Sequence, residues 1–413
     1  MTKRIFVALA LLISGLAMAQ EGTTSPYSFF GIGELKFRGT VENRSMGGLS
    51  VFSDSIHVSI QNPAHLAGLS LVNYSVSGSH RTESLQNATD KQRASTTTLD
   101  YVAVGIPMGK FGASFGLLPF TAVGYQLESA IDGGVNQLSG SGGLNKAYLS
   151  IGYQVMDGLT VGATANYGFG TIENSSVVLL DDLQFGSREI TTSELGGFGF
   201  NFGAAYKTMV SENLELSTSI VYSPENDIES NNFREISTIA IIADGSQVAI
   251  DPREIDVARS DLSLPSQLTI GAGIGQPKKW YFGGEYSSEK TSNFANGDLQ
   301  IPDVIYQDAS KFRFGGYYIP NYNGFGSYWK RVVYRAGVRF EETGINVRGQ
   351  DINEFGISFG VGLPVGKLFS NVNIGFEYGT RGTTDFGLVK ENFFNTFISL
   401  SLNDRWFRKR FFD

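Results

Sequence analysis

From about residue 71 onward the chain alternates between two kinds of side chain. In Asn371-Val372-Asn373-Ile374-Gly375-Phe376-Glu377-Tyr378 every even position is apolar or aromatic, and every odd one is polar or glycine. Phe355, Ile357, Phe359, Val361 and Leu363 repeat the pattern against Gly356, Ser358, Gly360 and Gly362. Phe198, Phe200, Phe202, Ala204 and Tyr206 do so against Gly199, Asn201, Gly203 and Lys207. A period of two is a strand with one greasy face. In a soluble sandwich the second face carries large solvated side chains, and the apolar face meets another sheet. Here the second face is mostly Gly, Ser, Thr and Asn, the division needed by a barrel with lipid outside and a packed lumen inside.

The pattern predicts fourteen strands, near residues 71–80, 97–107, 111–128, 144–155, 159–171, 195–209, 213–224, 265–275, 280–288, 310–319, 331–341, 353–363, 371–380 and 391–403. Short links such as Met108-Gly109-Lys110, Met156-Asp157-Gly158 and Val210-Ser211-Glu212 alternate with long polar ones at 81–96, 129–143, 172–194, 225–264, 289–309, 342–352 and 381–390. Outer-membrane barrels put short turns in the periplasm and long loops outside. An open sheet in hydrocarbon would leave edge N–H and C=O groups unpaired, so the expected fold is all-β, a closed transmembrane antiparallel β-barrel of about fourteen strands. In the second strand Asp100 shares the parity of Val102, Val104 and Ile106, which places it outward, at a membrane rim.

Lys3 and Arg4 precede an apolar run from Ile5 that ends in Ala17-Met18-Ala19, the pattern of a cleavable secretory signal over residues 1–19. No apolar stretch of 18 residues follows it, so no membrane helix is expected. The chain has no cysteine and three histidines, which excludes disulfides, thiolate metal sites and Cys nucleophiles. Its 51 glycines in 413 residues, about 12% against a usual ~7%, fit closely packed β-structure. A net charge of −8 argues against nucleic acid as a partner. His57, His65 and His80 form no His-x-x-x-His pair, and no Gly-x-Ser-x-Gly occurs. The chain therefore reads as a non-enzyme, with no cofactor and no metal.

Residues 20–70 are not barrel-like. They mix glycine turns with short apolar runs, and read either as a periplasmic linker or as a plug that fills a lumen too wide for its own small side chains. Arg44-Ser45-Met46-Gly47-Gly48, followed by Asn62-Pro63-Ala64-His65-Leu66-Ala67 and a first strand, resembles the N-terminal hatch of the FadL family. These are outer-membrane transporters of long-chain fatty acids and aromatic hydrocarbons. Ser25-Pro26-Tyr27-Ser28 and Asn403-Asp404-Arg405-Trp406-Phe407 look like FadL-type barrels of Bacteroidetes. The resemblance implies a hatch over 20–70 carrying the motif Asn62, Pro63 and Ala64, a barrel over 71–403, and a location in the bacterial outer membrane. The basic aromatic stub 404–413 departs from the family, whose members end at the last strand.

The resemblance also implies a route: a hydrophobic ligand caught by external loops leaves sideways through a gap at a kinked third strand. Pro119 lies inside the third strand here, and proline cannot donate to a ladder. Leu118 and Phe120 beside it would line an opening; the other reading of Pro119 is an ordinary bulge. Lumen-parity charges occur at Lys207, Glu215, Glu285, Arg313, Arg335, Arg339 and Glu377. They read as a charge ladder holding the hatch, with Arg335 and Arg339 as candidate cations for a ligand carboxylate. The expected function is passive uptake of hydrophobic, fatty-acid-like compounds. The alternative is a non-transporting barrel that serves as an accessory subunit of an outer-membrane secretion or barrel-assembly complex. Expected partners are membrane lipids, a hydrophobic small molecule, the barrel-assembly machinery that inserts it and, on the alternative, a multiprotein outer-membrane complex.

Overall fold

The computed structural model describes residues 22–242, 246–293, 295–296, 303–322, 327–365 and 370–405. The expected signal at 1–19 lies outside the described residues, as does the stub beyond Arg405. Fourteen strands close one antiparallel barrel. They are β1 (Val72–Gln86), β2 (Lys91–Met108), β3 (Phe111–Pro119, resumed as Thr121–Ile131), β4 (Gly134–Met156), β5 (Leu159–Leu180), β6 (Phe185–Ser211) and β7 (Leu214–Ser223, resumed as Asn226–Ile241). The second half comprises β8 (Ser260–Leu264, resumed as Gln267–Gln276), β9 (Trp280–Glu289), β10 (Ala309–Tyr318), β11 (Val333–Val347), β12 (Gln350–Val365), β13 (Ser370–Arg381) and β14 (Lys390–Asp404). Each strand pairs with its neighbours, and β14 closes on β1 from Val72↔Asp404 to Gln86↔Lys390. Closure leaves no sheet edge between first and last strand, which hydrocarbon requires.

The alternation sorts as expected. Phe198, Phe200, Phe202, Phe359, Phe394 and Ile398 are exposed on the outer wall, while Ser358, Asn373, Ser399 and Ser401 are buried. Most of the expected long loops are corrected, however, because they are continuations of the ladder. β1 and β2 remain paired to Gln86↔Lys91, β5 and β6 to Val178↔Ser187, and Asn226–Ile241 folds back on Gln247–Asp256. The physical reason is that the outward apolar stripe ends where the bilayer ends, whereas backbone pairing continues into water through Thr- and Ser-rich segments.

Asp100 is corrected as well. The β1–β2 register shifts between Ser77 and Gly78, so Tyr101 pairs with Ser77 and Leu99 with Gly78, leaving Asp100 as the extra residue. A bulge reverses parity. Asp100 turns inward, where its carboxylate accepts from Ser79 Oγ at 2.7 Å and Ser77 Oγ at 3.2 Å.

Candidate functional site

The N-terminal segment reaches the wall through short local structures. Ser25 caps the 3₁₀ turn Pro26–Phe29, its Oγ accepting from Tyr27 N–H at 3.2 Å. Thr40 caps the short helix Val41–Arg44, and Asn62 caps the 3₁₀ helix Pro63–Gly68, Oδ1 accepting from Ala64 N–H at 3.0 Å. Asn-Pro is suited to that start, since the side chain supplies the missing acceptor and proline has no N–H to lose.

The Asn62-Pro63-Ala64 turn rests on a row of glycines. Gly112, Gly152, Gly162 and Gly203 stand opposite one another across β3, β4, β5 and β6. A Cβ at Gly112 would stand 1.9 Å from Leu66 O, and one at Gly162 would stand 2.5 Å from the Pro63 carbonyl carbon. At Gly203 it would meet Asn62 Oδ1 at 2.2 Å. Backbone lies against backbone, and only glycine permits it. A second row seats Met46-Gly47: a Cβ at Gly315 would meet Met46 O at 2.3 Å, and one at Gly337 would meet Gly47 N at 2.2 Å. These residues show in the sequence only as recurrent Gly-x-Gly on the lumen parity; the alignment across strands is invisible there.

Charge ties down the second region. Glu285 on β9 accepts through one oxygen from Ser50 N–H at 2.7 Å, Ser50 Oγ at 2.6 Å and Val51 N–H at 3.2 Å. Its other oxygen pairs with Arg313 at 2.5 Å. Lys207 donates to Ser53 O at 2.7 Å, and Glu377 pairs with Arg44 at 3.1 Å. Of the expected lumen charges, Lys207, Glu285 and Glu377 therefore touch the N-terminal segment directly. A longer network runs from Glu34 to Arg81 (2.7 Å) and Arg381 (2.9 Å), from Arg381 to Glu354 (2.5 Å), then through Arg339 to Glu377 and Arg44. Arg81, Glu83, Glu354, Arg381 and Glu391 belong to it and escaped the sequence reading. The signal was present: Arg81 and Glu83 continue the inward parity of Ser75, Ser77 and Ser79, had the first strand been drawn past residue 80.

The two histidines of the segment sit in opposite environments. His57 Nδ1 lies 2.7 Å from Asp54, and Nε2 lies 3.4 Å from Glu42 and from the Asn371 amide. Burial disfavours its charged form, but Asp54 and Glu42 outweigh burial and raise its pKa. His65, buried among glycine-seated backbone, has its pKa lowered to about 3 by burial and by the charge of Lys207.

The wall is interrupted at Pro119. β3 pairs with β2 only up to Val102↔Leu117, while its pairing with β4 continues to Pro119↔Asn145. After Phe120 the strand pairs with β4 on one side and with Glu34–Leu35 of the N-terminal segment on the other. Among the described residues no ladder joins Thr121–Ile131 to β2. Pro119 thus lies where the β2 side needs no donor. Leu118 and Phe120 are buried, in separate apolar clusters: Leu118 with Leu66, Leu69 and Tyr148, and Phe120 with Ile32, Val123 and Leu144. A cavity of about 360 Å³ adjoins the break, lined by Arg38, Leu118, Pro119, Phe120, Lys146 and Tyr148 among others. Lys146 Nζ stands 3.4 Å from the Phe120 ring centre, and Arg38 donates to Gln267 at 2.9 Å. Of the two expected ligand cations, Arg339 lines this cavity but is paired to Glu354 and Glu377. Arg335 is buried away from it, bonded to Asn373 at 3.1 Å.

Known proteins fall into line with this geometry. The structure is similar to the toluene transporter TbuX of Ralstonia pickettii, at 16% identity and a TM-score of 0.61 over 89% of this chain and 99% of that one. It is similar to the toluene transporter TodX of Pseudomonas putida (16%, 0.58, 90% and 99%) and to a FadL homologue of Pseudomonas aeruginosa (11%, 0.58, 90% and 98%). At such identities the likeness is one of fold. No curated protein matches the sequence. The family model described as BamG matches residues 1–413.

Proposed function

Because this chain belongs to the BamG family, we propose that it is a sealed, non-catalytic barrel of the bacterial outer membrane that serves as an accessory subunit of a barrel-assembly complex. Residues 22–70 are its hatch. The observation that carries the reading is the continuous ion network from Glu34 through Arg381, Glu354, Arg339 and Glu377 to Arg44, which begins and ends on the hatch and passes through three strands of the wall, β11, β12 and β13. Opening the lumen would separate several buried opposite charges at once, which opposes the movement. A barrel built to pass cargo gains nothing from such a lock. A barrel used as a scaffold gains a rigid wall and fixed loops. Short turns face the periplasm and long hairpins the exterior, so partners on either side of the membrane have distinct surfaces to meet. The test is mild detergent extraction of the tagged protein from its own membrane, followed by mass spectrometry of proteins and lipids. Stoichiometric partner proteins without an apolar ligand are expected. A lone barrel would sink the reading.

A second reading, passive uptake of hydrophobic compounds with lateral exit, is favoured by one observation: the ladder break beside Leu118, Pro119 and Phe120, with a cavity behind it. On this reading Arg335 and Arg339 are poor carboxylate ligands as paired, and Arg38 and Lys146 stand nearer the exit. A co-purifying fatty acid or aromatic compound, lost when Leu118 or Phe120 is replaced by Asn, would select uptake. A barrel free of such compounds would exclude it.

A further inference from the structure

The short-turn rim of the barrel differs in chemistry around its circumference. Trp280, Tyr318 and Tyr334 stand in register across β9, β10 and β11 on the outward parity, forming an aromatic row at the end of the lipid-facing stripe. Such rows mark the level of lipid headgroups, because an amphipathic ring keeps its apolar body in the bilayer and its polar edge in water. Directly below the row, Ile319 N–H donates to Lys279 O and joins the β8–β9 turn to the β10–β11 connection, within which Asn321 N–H donates to Lys330 O, both at 2.7 Å. They carry Lys278, Lys279, Lys330 and Arg331, all exposed. Among the described residues none of these four side chains has an ion-pair partner. Trp329, 64% exposed, and Tyr328 directly precede Lys330; Tyr334 Oη donates to Trp329 O at 3.2 Å and Tyr328 Oη to Pro364 O at 3.0 Å. Arg331 lies over the Tyr328 ring and Lys278 over that of Tyr322. On the opposite side the corresponding turns carry Lys110, Asp157 and Glu212, with exposed Met108, Met156, Met209 and Val210.

We infer that the β8–β11 rim is a binding site for the phosphate of an anionic phospholipid headgroup. Four unpaired cations sit at the depth the aromatic row assigns to phosphates, and the exposed indole of Trp329 covers the glycerol region of the same lipid. An acidic protein would also be drawn to four cations, but it would not call for an exposed tryptophan at the bilayer boundary. The site would hold lipid on one side of the barrel and fix which side faces a neighbour in the membrane.

The test uses the full chain purified in detergent, with native mass spectrometry after adding phosphatidylglycerol or phosphatidylcholine of matched chains. The native protein is expected to retain phosphatidylglycerol over phosphatidylcholine by on the order of fivefold or more. The combined variant Lys278→Gln, Lys279→Gln, Lys330→Gln and Arg331→Gln should reduce that ratio to about one, while Lys110→Gln with Arg405→Gln leaves it unchanged. Heat-dependent gel mobility reports whether each variant is folded. A second measurement stands apart from those substitutions: brominated phosphatidylglycerol should quench Trp329 in a Trp280→Phe, Trp406→Phe background more strongly than brominated phosphatidylcholine does. Equal retention of both lipids, an undiminished ratio in the combined variant, equal quenching, or capture of an acidic protein at this rim independently of lipid would each overturn the assignment.

Discussion

Asn62–Gly68 lies on β3–β6 with backbone against backbone, whereas Arg44–Val51 is tied to β9–β13 by carboxylates and guanidinium groups as well as by glycines. The first contact is held by shape. Four aligned glycines give a floor on which a capped turn fits, and none of the described ion pairs involves that turn. The second is held by charge in a confined space, where partners are strong only while every member is present. A segment fixed by both means resists two different perturbations, as the closed hatch proposed above requires.

The comparison can be broken most sharply at Glu285. Replacing it by Ala leaves Arg313 without its carboxylate and the Ser50 and Val51 N–H groups without their acceptor. A loss of about 3–5 kcal/mol is expected, read as a lower urea midpoint for the barrel in lipid vesicles. Gly112→Ala probes the other contact, since the new methyl would stand 1.9 Å from the Leu66 carbonyl oxygen and backbone would have to shift to admit it. About 1–3 kcal/mol should be lost. Gly68→Ala, in the same turn but with open space around it, should be silent. If both glycine variants behave alike, shape is not what holds that side.

The two histidines carry opposite signs. His57 has a folded pKa above its usual value of ~6.5, so its contribution is present below about pH 6.5 and is lost as pH rises through the folded value. His65 has a folded pKa of about 3, so its contribution is present above ~6.5 and is lost as pH falls toward 3. His57→Gln should therefore remove stabilisation gained on mild acidification, and His65→Gln should remove a loss. Urea midpoints measured from pH 5 to 8 would expose the difference, and parallel profiles for the two variants would refute it. A small effect is expected at the bulge: Asp100→Ala removes the acceptor of the Ser77, Ser79 and Thr98 hydroxyls, all part-buried and able to turn to water, and should cost about 1 kcal/mol in all, with the β1–β2 register intact by hydrogen exchange.

Much of the barrel was legible from residue order because its rule is local. A strand between lipid and lumen must alternate, so Asn371–Tyr378 or Phe198–Tyr206 declares its faces without reference to any other part of the chain. The strand ends were less legible. Outside the bilayer, Ser and Thr satisfy either face, and Arg81 and Glu83 were lost to an expected loop for that reason. Asp100 was misplaced by one inserted residue, which a period-two reading cannot detect.

The sequence by itself determined a closed barrel of about fourteen strands and the inward or outward sense of most side chains, since these follow from nearest-neighbour alternation against two solvents. Only the tertiary structure decided which inward residues meet. Glu34 pairs with Arg81 and Arg381, which lie 47 and 347 positions away from it, and Gly112, Gly152, Gly162 and Gly203 become one floor through inter-strand register. Register and ring closure bring distant residues together, and neither is written in the order of residues along any single strand.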